Sequence, residues 1–208
     1  MNSREQGFLL LTSHLGNPER NPLTIPQLRT LAERMKQASV PLEERELEQR
    51  DLVALGYGWE MADRIVKLLS EEELLEHYLH RANRSGCVPI TRVSEGYPVI
   101  LRKRLGLNSP GCLWVKGDRS PWNTPAVSLV GSRELLEENR KFAEAVGRQA
   151  ALQGLTLVSG NARGADKTAQ DACLEAGGRV ISIVADELGK HPLRENMLYV
   201  SEENYDEV

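Results

Sequence analysis

The second half of the chain alternates apolar runs with stretches of helical periodicity. The apolar runs are Ala126–Val130, Leu155–Val158, Val180–Val184 and Met197–Val200, and the two stretches with helical spacing are Glu137–Leu152 and Asp166–Ala176. Phe142, Val146 and Ala150 mark the predicted apolar side of the first helix, and Gly154 is placed as its C-cap. The pattern therefore predicts strand–helix–strand–helix–strand and then a fourth strand. Such apolar strands are typical of a parallel sheet with flanking helices, which gives an α/β fold class.

The first half of the chain predicts a different kind of unit. Residues 1–86 read as a small helical domain, and residues 87–208 as the α/β domain, with 87–125 as a lead-in and 126–208 as the core. Thr24 with Gln27, and Ser70 with Glu73, have the spacing of capping boxes at helix starts. In the lead-in, the segments CVPIT and GCLWVKG predict short strands. Trp114 is expected in the core there and Trp122 as a lid.

A glycine hairpin, Gly56-Tyr57-Gly58, separates two apolar helical stretches of the helical domain. This arrangement resembles a helix-hairpin-helix motif, whose backbone N–H groups can contact DNA phosphates. The other interpretation is a tight turn between helices, in which Tyr57 and Trp59 pack. No lysine or arginine lies in the hairpin and its neighbourhood is acidic, which favours the tight turn.

Two polar loops follow the first two strands of the α/β core. Since neighbouring parallel strands end at the same edge of a sheet, these loops are expected to lie side by side. Glycines there allow a phosphate to approach backbone N–H groups at a helix start, and the arginines supply bidentate charge. The predicted phosphate-binding residues are Gly131, Ser132, Arg133, Ser159, Gly160, Asn161, Arg163, Gly164 and Lys167. Asp166 is expected to cap the second loop, and the alternative is that both loops are ordinary strand-to-helix turns.

The charge distribution adds a second basic feature. The formal net charge is −4, yet residues 81–125 carry eight basic and two acidic side chains, whereas the flanking segments 1–80 and 126–208 each carry nine basic and fourteen acidic ones. A basic patch in an acidic protein can bind a polyanion selectively. Arg102-Lys103-Arg104 is either such a nucleic-acid contact or a solvated charge run.

Several functional classes lack their signature in this sequence. The three cysteines, Cys87, Cys112 and Cys173, form no CxxC pair, so no disulfide framework or metal site is predicted. GxGxxG, GxxxxGK[ST] and GxSxG motifs are absent, and the four histidines, His14, His77, His80 and His191, lie outside the two loops. We therefore expect no enzyme activity and no cofactor. Without a signal peptide or a membrane-length apolar run, the protein is expected to be cytoplasmic, with no membrane partner.

The loop motifs resemble those of the DNA-processing protein A (DprA, also called Smf) family. The resemblance lies in Val-Gly-Ser-Arg at 130–133 and in the pattern SGxAxGxD at 159–166. Tyr97-Pro98, Leu101, Pro110, Leu113 and Gly117 continue it upstream, and the helical segment with its glycine hairpin is similar to the family's SAM-like domain. The resemblance thus covers nearly the whole chain.

The resemblance implies an extended Rossmann-like fold whose pocket binds single-stranded DNA. It also implies a role in DNA uptake and natural transformation, loading of the RecA recombinase, a homodimer and no enzyme activity. Ala165 and Gln170 replace an isoleucine and a histidine that are common in the family. We expect an incomplete domain, from a truncated chain or a short relative, because the family's later Arg-Asn-Arg region has no counterpart before Val208. The alternatives are a nucleotide-binding enzyme related to the lysine-decarboxylase-like (LOG) group, whose PGGxGT motif is not found, and a nucleotide-sensing domain.

Overall fold

The computed structural model describes residues 1–38, 47–202 and 205–206. The N-terminal part is helical. Its helices are α1 (Ser3–Thr12), α2 (Ile25–Gln37), α3 (Gln49–Ala54), α4 (Trp59–Leu69) and α5 (Glu72–Arg84). Leu11, Leu31, Leu52, Ile65 and Leu68 form a core among these helices. The periodic apolar positions of this segment therefore bury one another.

One of the two predicted capping boxes is present, and the prediction of the other is wrong. The Thr24 hydroxyl accepts the Gln27 N–H, and the Gln27 side chain accepts the Thr24 N–H at 3.0 Å, so α2 starts as predicted. Ser70 instead ends α4, with its hydroxyl donating to the Lys67 carbonyl at 2.9 Å. The Ser70 hydroxyl is therefore turned back to α4 and cannot cap α5, which starts without a side-chain cap.

The second part of the chain is a mixed sheet with helices. Its elements are β1 (Val88–Thr91), α6 (Val99–Leu105), β2 (Cys112–Gly117), β3 (Ala126–Ser128), α7 (Glu137–Leu152), β4 (Thr156–Ser159), α8 (Ala165–Glu175), β5 (Arg179–Ile183) and β6 (Met197–Glu202). The strand order is β1-β2-β6-β5-β4-β3. Strands β3, β4, β5 and β6 run parallel, while β2 pairs antiparallel with both β6 and β1. The predicted Rossmann-like sheet with flanking helices is confirmed.

Helices α7 and α8 pack together over one face of the parallel strands. Gly147 of α7 lies so close to the Ala169 carbonyl of α8 that a Cβ atom could not fit between them. Small side chains, Ala143 and Ala150, complete this contact. Phe142, expected in the core, is 66% exposed instead. The close approach of the two helices requires the small-residue side of α7, so the side with the larger apolar residue faces solvent.

The opposite face of the sheet is only partly covered. Ile90, Leu113, Val115 and Leu198 pack there with Tyr97, under the lead-in segment, and Trp122 packs against the same cluster. Towards β3 this cover ends: Ile183 is 53% exposed and Val130, just beyond β3, is 76% exposed. The expectation that these strands are buried on both faces is therefore wrong for β3, which pairs only with β4 within the described residues.

The helical part and the sheet share a continuous core. Tyr78 of α5 meets Trp114 of β2 edge to face, with ring centroids 5.4 Å apart, and Tyr205 packs against both rings. Trp114 is fully buried, as predicted for a core residue. The predicted boundary at residue 86 falls between α5 and β1, and side chains on both sides of it contribute to this core. The division into two domains stays a prediction.

Candidate nucleic-acid interface

The two predicted loops lie side by side at the carboxyl ends of β3 and β4. The Ala165 N–H, at the start of α8, donates to the Ser132 carbonyl at 3.0 Å, which joins the second loop to the first. Gly164 has a φ of 95° and lies against the backbone of Ser132 and Arg133, where a Cβ atom would not fit. A larger residue at 164 would push the loops apart. The glycine is thus explained by loop packing.

Asp166 holds both loops through its carboxylate. Its Oδ1 accepts the Gly131 N–H at 3.1 Å, and its Oδ2 accepts the Gly160 N–H at 3.0 Å. The side chain is buried in the first turn of α8, where a negative charge interacts favourably with the helix dipole. The N–H groups of Gly131 and Gly160 are therefore occupied by a residue of the protein and are not free for a phosphate.

The two predicted serines differ in what they can offer a ligand. The Ser159 hydroxyl is buried and donates to the Leu129 carbonyl at 2.7 Å, so it holds the end of β4 against the first loop. Ser132 is exposed, and its oxygen accepts the Glu134 N–H at 3.1 Å. Ser132 thus keeps its own hydroxyl proton for a ligand, whereas Ser159 does not.

A basic cleft lies beside these loops, between the N-terminal ends of α7 and α8. The space inside the cleft, counted together with the solvent at its mouth, is about 950 Å³. The basic residues that line it are Arg133, Arg140, Arg163 and Lys167. Glu134 and Asp171 are its acidic residues. Four positive and two negative side chains give the cleft a positive excess in a protein of net charge −4. Three of the basic side chains were predicted from the loop motifs; Arg140, on the first turn of α7, was not.

The basic side chains of the cleft are only loosely engaged. Arg163 approaches Glu134 at 3.8 Å with both side chains exposed, and Lys167 pairs with Asp171 at 3.3 Å. Within the described residues, Arg133 has no hydrogen bond or ion pair. Exposed pairs of this kind contribute about 0–1 kcal/mol, so an incoming anion can replace them at little cost.

Asn161 and His191 form a contact that the sequence spacing did not predict. Asn161 has a φ of 60°, and its side-chain Nδ2 lies 3.5 Å from Nδ1 of His191. The other ring nitrogen of His191, Nε2, lies 2.9 Å from Asp186 Oδ1. His191, which lies outside the two loops in the sequence, thus contacts the second loop in the fold. Thirty positions separate the two residues, and only the β5–β6 connection brings them together.

The predicted basic run of the lead-in lies on α6. Arg102, Lys103 and Arg104 are all exposed. The Arg102 guanidinium lies over the Tyr97 ring and donates to the carbonyls of Arg92 and Ser94 at 2.7 and 2.9 Å. Arg102 thus stabilises the lead-in, while the other two side chains project into solvent.

The glycine hairpin joins α3 to α4 as a tight turn. Gly56 has a φ of 86°, which favours glycine, and the Tyr57 ring packs under the Arg34 guanidinium at 4.3 Å. Trp59, expected to pack in the tight-turn interpretation, is largely exposed.

Metal-binding and membrane-spanning features are not found in the described ranges. In residues 1–38, 47–202 and 205–206, no three His, Cys, Asp or Glu side chains are grouped as a metal site would need. Over the same ranges, none of the helices combines the length and the apolar character needed to cross a bilayer.

Comparison with known proteins identifies a family and two relatives. A sequence profile of the family described as DNA recombination-mediator protein A matches residues 89–204. Protein Smf of Escherichia coli (strain K12) is 31% identical over 109 residues, which are 52% of this chain and 29% of Smf. DNA processing protein DprA of Streptococcus pneumoniae (strain ATCC BAA-255 / R6) is 35% identical over 77 residues, 37% of this chain and 27% of that protein.

A solved structure has the same fold. The X-ray structure of DprA from Streptococcus pneumoniae superposes with a TM-score of 0.53 at 21% identity, over 89% of this chain and 70% of that one. Fold and cleft together define a Rossmann-like α/β protein with a basic cleft at the carboxyl edge of its parallel strands. The profile match covers more than half of the sequence, so the chain belongs to the DNA recombination-mediator protein A family, which includes DprA and Smf. The resemblance read from the loop motifs is confirmed, and these matches do not favour the LOG-related alternative.

Proposed function

We propose that this chain binds single-stranded DNA through its sugar-phosphate backbone in the basic cleft. The observation that carries the proposal is the group of exposed, loosely paired cations, Arg133, Arg163 and Lys167, held beside two loops that Asp166 locks together. Exposed cations on a fixed scaffold suit a polyanion whose charges are regularly spaced. Contacts of this kind position a strand without reading its bases.

Membership of a recombination-mediator family supports nucleic acid as the ligand, and a nucleotide is the second candidate. The matched segments span 29% of Smf and 27% of DprA, so the activities of those whole proteins are proposals for this chain. We extend the proposal to a cytoplasmic, non-catalytic role in DNA uptake and natural transformation. RecA as a partner and a homodimer belong to the same proposal.

The first test compares ligands. Fluorescence anisotropy with a labelled oligonucleotide measures affinity for single strand, and unlabelled duplex and mononucleotides serve as competitors. The proposal expects single strand to compete best and mononucleotides to compete poorly, since one phosphate engages few of the cations. Efficient displacement by a mononucleotide would instead favour the nucleotide-binding alternative.

A second test concerns catalysis. Incubation with labelled strand and divalent metal should leave the strand intact. Cleavage of the strand that is lost in a single-residue variant would contradict the non-catalytic role.

Arg133→Ala tests the cleft itself. Each lost phosphate contact on a single strand lowers the slope of log affinity against log salt by about 0.7. We expect Arg133→Ala to weaken binding to all sequences about equally and to reduce that slope, and Arg163→Ala to do the same. Arg104→Ala is the matched control, because Arg104 is an exposed arginine of the lead-in. Unchanged affinity and slope in both cleft variants would overturn the proposal, and so would a loss confined to one base sequence.

A further inference from the structure

His191 contacts the second loop of the cleft, and its two polar neighbours determine which ring nitrogen carries the proton. Asp186 offers only acceptor oxygens, so the contact of 2.9 Å requires a proton on His191 Nε2. The Asn161 amide nitrogen offers only protons, so the contact of 3.5 Å requires a lone pair on Nδ1. Both contacts are made together only by neutral imidazole with its proton on Nε2.

Asn161 depends on this imidazole for its side-chain contacts. Its Oδ1 is buried and has no hydrogen-bond partner within the described residues, which leaves His191 Nδ1 as the amide's partner there. The residue also has a left-handed backbone, with a φ of 60°, at the point where the chain turns from β4 towards Arg163. The orientation of this bend is thus tied to the ring of His191.

The surroundings of His191 keep the ring in place. Tyr199 of β6 stacks on it, with centroids 4.9 Å apart and planes at 21°. Burial raises the pKa of Tyr199 above its usual value, so this neighbour stays neutral at neutral and acidic pH. The charged groups near the ring are Asp186, the Lys190–Glu187 pair at 2.9 Å, and, next to Tyr199, Arg194 with Asp171.

We propose that neutral His191 is a positioning residue that holds Asn161, and through it the Arg163 loop, in the conformation that binds the phosphate backbone. This inference rests on the proposed function. A side chain at position 191 that has no acceptor at the place of Nδ1 leaves the Asn161 N–H groups without this partner, so the bend that leads to Arg163 is no longer held.

Two variants of His191 separate its two contacts. In His191→Asn the side-chain amide lies near the position of Nδ1 and keeps a partner for Asn161, whereas in His191→Gln it reaches the position of Nε2 and keeps the partner for Asp186. At about pH 8, His191→Asn should bind labelled single strand about 2- to 10-fold more tightly than His191→Gln, the range expected for one hydrogen bond. Equal affinities of the two variants would overturn the inference, because a purely structural role would not distinguish them.

One further variant separates this inference from the proposed function. Arg163→Ala is measured alongside: if it has no effect the proposed function fails, whereas an effect of Arg163→Ala with no difference between the His191 variants removes only this inference.

A measurement without DNA completes the test. Nitrogen NMR of the free protein should show the Nε2–H tautomer of His191 near pH 8, and the side-chain amide signals of Asn161 should differ between His191→Asn and His191→Gln. The Nδ1–H tautomer, or an Asn161 amide that does not respond to His191, would overturn the inference even where no DNA binding is seen.

Discussion

Asp166 shows how one buried carboxylate organises the cleft. It accepts the N–H groups of Gly131 and Gly160, and Gly160 approaches the carboxylate so closely that a Cβ atom would contact Oδ2 at 2.8 Å. The residue types in the two loops were predictable from their glycines and arginines. Which glycines serve packing was not, because a glycine in the sequence looks the same whether a ligand or a neighbouring loop lies against it.

Asp166→Asn is expected to lower stability. An amide can accept one of the two loop N–H groups, but its NH₂ then faces the other and the negative charge at the start of α8 is lost. Hydrogen bonds to charged groups contribute about 1.5–3 kcal/mol, so the free energy of unfolding should fall by about 2–3 kcal/mol in urea denaturation. Asp171→Asn is the matched control on the same helix. Asp171 is partly exposed and pairs with Lys167 and Arg194, so its loss should cost less than about 1 kcal/mol. Equal losses in the two variants would contradict this account.

At the scale of elements, apolar periodicity predicted the strands and helices of the α/β core to within about two residues, a usual uncertainty for element boundaries. It did not predict which side of α7 is buried. Phe142 is more apolar than Ala143, yet Ala143 faces the core because α8 approaches α7 at Gly147. The partner of a helix, which lies elsewhere in the sequence, decides that choice. The same holds for β3, whose apolar residues gave no sign that it would lie at an edge.

The edge strand β3 is expected to cause self-association. From Thr124 to Ser132 the sequence has no charged residue, and Val130 exposes an apolar side chain just beyond the strand. An uncharged edge strand can pair with another strand. Light scattering should therefore show an average mass that rises with protein concentration. Ser128→Lys, which places a charge on the exposed edge, should hold the protein nearer to the monomer mass.

Gln149→Lys is the matched control for this edge, since it adds the same charge at an exposed position of α7. It should associate as the wild type does. A wild type that is monomeric at every concentration would contradict the prediction, as would equal behaviour of the two lysine variants.

At the scale of the whole molecule, Tyr78 joins the helical part to the sheet. Its ring packs against Trp114 and Tyr205, and its hydroxyl donates to Asp206 at 2.6 Å, across 128 positions of sequence. Local patterns cannot predict a contact of this separation, and the acidic C-terminal segment gave no sign that part of it packs on α5. The hydroxyl of Tyr57, in contrast, is buried and has no hydrogen-bond partner within the described residues.

The two tyrosines give a matched pair of variants near pH 7. Tyr78→Phe removes a hydrogen bond to a carboxylate and should lower the free energy of unfolding by about 1–2 kcal/mol. Tyr57→Phe removes an unpartnered hydroxyl and should change it by less than about 0.5 kcal/mol. Urea denaturation measures both, and a similar loss in the two variants would show that the Asp206 contact does not stabilise the protein.

The same contact predicts how stability changes in alkali. Burial, followed by the hydrogen bond to Asp206, raises the pKa of Tyr78 well above its ordinary value of 10.0. The folded protein therefore keeps the Tyr78 proton at a pH where the unfolded chain loses it. The stabilisation is complete below about pH 10 and falls as pH rises beyond it, because the unfolded state then binds fewer protons than the folded state. One such group contributes a slope of about 1.4 kcal/mol per pH unit.

The other four tyrosines, whose pKa values are also raised by burial, act equally in the wild type and in Tyr78→Phe. Urea denaturation from about pH 8 to about pH 11 should therefore show the stability difference between wild type and Tyr78→Phe shrinking above about pH 10. A difference that stays constant over that range would mean that Tyr78 ionises as readily in the folded protein as in the unfolded chain, and the buried contact with Asp206 would then be wrong.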